Sequence, residues 1–149
     1  MKSKTPELLN RKAHFEYTVL DTYVAGIALI GSEVRSLRDG GGNINDAYAI
    51  VDNNEVILKN SYINAYLTEK VMYKTEPIRD RKLLLNKKEI QKIKKVVEQP
   101  GYTIIPLKMF FNEKHMVKAL IGVCIGKHEY DKREAIKKRD LERETRMKF

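Results

Sequence analysis

Tryptophan is absent from this 149-residue chain, and it has one cysteine, three histidines and four prolines. A lone thiol, Cys124, cannot close an internal disulfide, so packing must hold the fold, and such cysteine usage suits a reducing cytosol. One cysteine and three scattered histidines make no recognisable metal-ligand spacing, so no metal and no cofactor is expected. Acidic residues are the minority charge, 20 against 29 Lys and Arg, and they interleave with cations without a pair set apart as general acid and base. No apolar run approaches the ~20 residues needed to cross a bilayer. Polar residues follow Met1 to Pro6 where a signal peptide would place its apolar stretch. Disulfide-stapled, metal-dependent and membrane-spanning classes fall away, and a soluble cytoplasmic protein with no membrane partner is expected.

Cations are what the chain has in excess. Its formal net charge is +9, and Arg79 to Lys95 alone hold eight Lys and Arg against Asp80 and Glu89. A local excess of this kind suits a surface that meets a polyanion. The Leu83-Leu84-Leu85 triplet in its midst implies that a folded element carries the charge. Length allows one domain with a proper core and is short for two.

Along the chain, residues 1–9 lack periodicity and are expected to be a flexible lead-in to a domain over 10–126. Tyr23 to Ile30 is apolar on both alternating faces and has Gly26 and Gly31 as bending points, which suits a tightly curled sheet or small barrel. Gly40-Gly41-Gly42 is a turn or loop, and Asn43 is expected to cap a short helix over 43–48. The runs 49–52 and 55–58 flank Asn53-Asn54, a hairpin signal. Lys87 to Val97 reads as a helix capped by Asn86 and Glu89 and stopped by Pro100-Gly101; Ile90, Ile93 and Val97 share one face, and Lys88, Lys92 and Lys95 the other. Tyr102 to Phe111 and Met116 to Ile125 form a second hairpin around Asn112-Glu113-Lys114. The expected fold is mainly β with a few helices: a closed, OB-like barrel. Residues 127–149 carry nine basic and six acidic residues and no wide apolar stripe. They are expected to form a basic tail, disordered when free and helical on a partner.

Most motif-like stretches have plainer explanations. Gly122 to Lys127 is one residue short of a phosphate loop, with His128 where Ser or Thr would bind Mg²⁺, so a strand end is the better reading. Cys124 sits in an apolar run and reads as a buried, inert thiol, despite His115 and His128 elsewhere in this part of the chain. More informative is Glu33 to Gly40, expected as a polyanion-contacting strand with Glu33, Arg35, Ser36 and Arg38 on its faces. Asn10-Arg11-Lys12 and the Arg79 to Lys82 run, with Arg81 and Lys82, add further cations. Tyr130 stands among charges as Tyr130-Asp131-Lys132-Arg133, placed to stack on a base while Lys132 and Arg133 hold phosphates.

Five stretches, in this order and spacing, resemble one family: Asn10 to Ala13; Ala25 to Ile27 with Gly31 to Arg38; Asp46 to Ala49; Arg79 to Asn86; and Gly126-Lys127 with Asp131 to Arg133. They are similar to the SmpB family of bacterial tmRNA-binding proteins from about Leu8 to about Arg143. The resemblance implies an oligonucleotide-binding-type barrel and a non-enzymatic role in trans-translation, the rescue of stalled ribosomes. It implies a monomer that binds the tRNA-like domain of tmRNA and helps deliver it, with elongation factor Tu, to the vacant A site. It also places Glu33 to Arg38, Leu84 and Asn86 on the tmRNA-facing surface. The tail, with Tyr130 to Arg133 at its base and Lys137, Lys138, Arg139 and Arg143 beyond, would enter the decoding centre and empty mRNA channel of the small subunit. Leu141 departs from the aromatic common there. A general single-strand-binding barrel and a small RNA-processing enzyme are the competing readings.

Overall fold

The computed structural model describes residues 6–65, 76–128 and 134–139. In chain order the elements are β1 (Leu8–Leu9), α1 (Ala13–Glu16), β2 (Tyr17–Ile27), α2 (Gly31–Arg38), β3 (Gly42–Asn43), β4 (Tyr48–Asp52), β5 (Glu55–Lys59) and β6 (Tyr62–Ile63). Then come β7 (Arg81–Leu84), α3 (Lys87–Val97), β8 (Tyr102–Phe111) and β9 (Val117–Gly126). Residues 134–139 are also helical and exposed throughout. The protein is mainly β, built on one large antiparallel sheet.

Local chemistry explains the turns. Asn53 and Asn54 adopt left-handed backbone (φ 48° and 61°), the two-residue geometry whose twist matches the flanking strands, and β4 pairs with β5 from Tyr48↔Lys59 to Asp52↔Glu55. In the second hairpin, Asn112 Oδ1 accepts from the backbone N–H of Lys114 (3.0 Å) and Met116 (2.9 Å), and His115 supplies the left-handed residue. Pro106, which has no N–H to give a ladder, sits where the β8–β9 register shifts.

Strand order in the large sheet is β1-β8-β4-β5-β7-β2-β9, and β9 pairs back onto β8, so the ladder returns on itself. That pairing leaves few free edges. Side chains pointing inward from Ala25, Val56, Leu58, Leu83, Ile104, Ala119 and Ile121 form the core. Helix α3 adds Ile93, fully buried, with Ile90, Val96 and Val97 beside it. Burying a side chain of that size contributes about 1.5–3 kcal/mol. Asn86 Oδ1 accepts from Glu89 N–H (2.9 Å) while Glu89 Oε1 accepts from Asn86 N–H (3.3 Å), the reciprocal cap that the sequence predicts.

Three expectations are corrected. No helix forms over 43–48: Asn43 Oδ1 accepts from Asn45 N–H (2.8 Å), turning the chain between β3 and β4 before a helix can start. The stretch expected as a strand at Glu33 to Arg38 is α2. Its apolar residues Ile30, Val34 and Leu37 recur at helical spacing, and Glu33 Oε1 accepts from the N–H of Ile30 (3.0 Å), the residue before the helix. Gly40, at φ 75°, closes α2: its N–H donates to Leu37 O (3.0 Å), and the Gly41 N–H to Ser36 O (2.8 Å). The lead-in is also shorter than residues 1–9, because Leu8 and Leu9 pair with Met109 and Lys108 of β8.

Candidate nucleic-acid interface

Helix α2 and strand β7 are drawn together by a buried ionic cluster. The Glu33 carboxylate, 1% exposed, receives Arg79 Nε (3.1 Å), Arg81 Nε (2.9 Å) and Arg81 Nη2 (2.6 Å); Arg79 Nη2 also donates to it. Arg81, equally buried, spends its remaining donors on Ser61 O (2.8 Å), Ser61 Oγ (2.7 Å) and Pro77 O (3.1 Å). Burial pushes the Glu33 carboxyl upward, but hydrogen bonds from Arg79, the Ile30 N–H and Arg81 outweigh it and hold the group below the usual carboxylate range. Burial draws Arg81 below its ordinary value against the pull of Glu33, and a guanidinium stays cationic at neutral pH regardless.

This geometry corrects part of the expected contact set. Glu33, Ser36 and Arg81 are buried, so they cannot touch an RNA in this conformation. What Glu33 and Arg81 do is fix α2 against β7 and the segment around Ser61 and Pro77. Arg79, which the sequence presents as one more cation in the basic run, is a further partner in the cluster. Its carboxylate lies 46 residues away in sequence, so no local signal could have paired them.

The exposed members of the set lie on the elements that the cluster joins and on the segment that follows β7. Arg35 and Arg38 lie on the outer side of α2. Lys82 and Leu84 alternate with buried Arg81 and Leu83 along β7 and so point outward. Lys82 Nζ meets Glu55 Oε1 at 3.0 Å across exposed surface, a weak pair that a phosphate can displace. Leu84 is 52% exposed and pairs with Gly26, whose own cross-strand partner on β9 is Lys118. A Cβ on Gly26 would stand 3.2 Å from Leu84 Cβ, so glycine lets the leucine lie close over the strand. Val24, two positions along the same face, is 54% exposed. The strand alternation of β2 carries the signal for Val24 and Gly26, since Ala25 and Ile27 point inward. Asn86 uses Oδ1 to cap α3 and keeps its Nδ2 group at the exposed edge of this patch.

The Asn10-Arg11-Lys12 group divides. Asn10 is buried: Nδ2 donates to Pro106 O (2.9 Å) and Ile44 O (3.2 Å), and Oδ1 accepts from the N–H of Ala13 (3.1 Å) and Lys12 (3.2 Å). It staples three chain segments and has nothing left for a ligand. Arg11 is exposed beside Gly42, Asn43 and Asn45, just past the end of α2. Lys12 pairs with Asp46 (3.1 Å) on a cleft of about 640 Å³ that reaches Tyr17, Tyr48 and Gly126, the point from which the tail departs. Lys137, Lys138 and Arg139 are exposed; Tyr130, Asp131, Lys132, Arg133 and Arg143 lie outside the described residues.

Nucleophilic chemistry finds no support at Cys124. It is fully buried, its Sγ faces Gly122 O at 3.4 Å, and burial pushes its pKa up to about 11. The surface instead offers hydrophobic contact at Leu84 and Val24, an amide donor at Asn86, and cations at Arg35, Arg38, Lys82 and Lys118. Such a mixture can hold phosphates and pack on a folded RNA.

Comparison with known proteins identifies the family. An SsrA-binding protein of Lacticaseibacillus casei (strain BL23) is 47% identical over 136 residues, covering 91% of this chain and 85% of the relative. One of Mesorhizobium japonicum is 50% identical over 135 residues, covering 91% and 84%. A solved structure described as "tmRNA-SmpB: a journey to the center of the bacterial ribosome" superposes with a TM-score of 0.68 at 43% identity, covering 82% of this chain and 85% of that one. With the SmpB protein model matching residues 8–149, the chain belongs to the SmpB family.

Proposed function

We propose that this protein binds the tRNA-like domain of tmRNA and delivers it to stalled ribosomes for trans-translation. The observation that carries the reading is family membership over residues 8–149 on a chain whose outward patch joins Leu84 and Asn86 to the cations of α2 and β7. We take the self-returning sheet as an OB-type barrel, a fold that presents one face to nucleic acid. On this reading, Arg35, Arg38, Lys82, Leu84 and Asn86 meet the RNA, while Glu33, Arg81, Ser36 and Asn10 hold them in place.

Mimicry explains the mechanism without catalysis. A tRNA-like domain with no anticodon arm leaves the decoding end of the A site empty, and a basic protein body docked on it supplies the missing bulk. Tail residues 127–149, with Tyr130 to Arg133 at the root, then occupy the decoding centre and the mRNA channel. Message and tail compete for the same space, so the tail folds there only when the message is missing. The ordering cost makes engagement conditional. The protein acts as a cytoplasmic monomer, and elongation factor Tu is met through the shared tmRNA.

The test is to isolate the protein from its own cells and sequence the RNA bound to it. A single stable RNA with a tRNA-like end is expected; a broad sample of cellular single strands would instead support a general single-strand binder.

A further inference from the structure

Four lysines of α3 are explained neither by the core nor by the patch around Leu84. Lys87, Lys88, Lys92 and Lys95 are exposed, and among the described residues none has an ion-pair or hydrogen-bond partner. Some cations elsewhere are paired, Lys12 with Asp46, Lys59 with Asp80, Lys82 with Glu55, and Arg81 with Glu33, whereas α3 gathers four unpaired ones on one short element. Lys94 of the same helix leans toward Asn54 (3.5 Å). Glu89, the one acid within the helix, is committed to the cap, and Glu98 lies beyond the last of the lysines.

Helix physics opposes the N-terminal part of this arrangement, although Lys95, in the last turn, stands where the dipole favours a cation. Lys87 and Lys88 stand in the first turn, where the positive end of the helix dipole disfavours cations. Lys88 and Lys92 are like charges one turn apart, which also repel. A sequence selected for stability alone would place acids at these points. Lys88, Lys92 and Lys95 stack on one face over about 10 Å of helix axis, opposite the face that buries Ile93. The row begins two residues after Asn86, on the helix that Asn86 caps. Because Ile90, Ile93, Val96 and Val97 are all packed on the core, α3 has no free apolar face to insert into a lipid layer.

We propose that the lysine face of α3 is a phosphate-binding surface that takes the sugar-phosphate backbone of a structured RNA and extends the interface beyond Leu84 and Asn86. The proposal rests on the RNA-binding reading and assigns this helix its share of it. A polyanion relieves the self-repulsion, so the lysines lower the stability of the free protein and raise its affinity for RNA.

The test uses the full chain with Lys88→Gln, Lys92→Gln and Lys95→Gln combined, and two probes: a transcript of the tRNA-like domain and an unrelated RNA hairpin of equal length. Affinities are measured over a salt series. The log–log slope for the transcript should shrink in magnitude by about 2 to 3, at roughly 0.7–0.9 for each phosphate that the variant no longer neutralises. The thermal midpoint should hold or rise. An unchanged slope on the transcript would overturn the proposal, and so would a fall in the midpoint, which would make the lysines structural. If the wild-type protein binds both probes equally while the triple variant loses slope on both, the tRNA-like reading fails and the phosphate surface stands.

Discussion

Replacing Glu33 with Gln removes the one negative charge between Arg79 and Arg81 and keeps the side-chain shape. Five donors converge on that carboxylate in the wild type, four from the two guanidinium groups and one from the Ile30 backbone. In the variant they face a neutral amide, and Arg81, 1% exposed, cannot turn to water. Removing one partner from a buried ion pair costs about 3–5 kcal/mol, mainly because the remaining charge is stranded. With a urea m-value of about 1–3 kcal/mol/M, the unfolding midpoint should fall by at least about 1 M. In an Arg81→Met background the same change should cost less, since the stranded charge is gone. Acidity supplies a second check. The folded pKa of Glu33 is depressed, so its stabilisation is fully present above the unfolded value of about 4.3 and disappears as pH falls through the folded value. The gap between wild type and Glu33→Gln should therefore narrow below about pH 4. A loss under about 1 kcal/mol at neutral pH, well short of the cost of a broken buried pair, or a gap that persists into acid, would refute the claim that this cluster locks α2 onto the sheet.

Asn10→Ala should destabilise the fold by about 2–3 kcal/mol, because it orphans two carbonyls and two amides in a buried site, with tail-dependent function lost only in proportion to folding. Asn86→Ala should cost about 1 kcal/mol of stability through the lost cap and weaken RNA binding as well; a variant that binds RNA normally would remove Asn86 from the interface. Leu84→Ala should shift stability within about 0.5 kcal/mol, as surface substitutions do, yet reduce affinity for the tRNA-like domain several-fold in a gel-shift titration. Ending the chain at Gly126 should leave that affinity intact and abolish peptide tagging in a reconstituted translation reaction; tagging by the shortened protein would remove the tail from the mechanism.

Legibility in the sequence follows the range of the forces. Helix α3 and both hairpins are readable because Asn86, Glu89, Asn53-Asn54 and Asn112 act on neighbours within a few residues. Helix α2 passes for a strand because Gly31 to Arg38 follows a β-rich run and mixes Val with charges, although Glu33 and Gly40 mark its ends at the expected offsets. The roles of Glu33, Arg81 and Asn10 are hidden, since beside their local bonds each reaches a partner 20 to 96 residues away that only the pairing of the sheet brings near. Charge alone suggests that Arg81 and Lys82 act alike, whereas strand alternation buries one and exposes the other.

The most direct test is displacement of a labelled tRNA-like-domain transcript from the full-length protein by two unlabelled competitors, the same transcript and an unrelated single strand of equal length. Displacement by the transcript at equimolar levels, with the single strand effective only in large excess, is the expected result. Equal displacement by both would contradict recognition of a folded tRNA-like RNA.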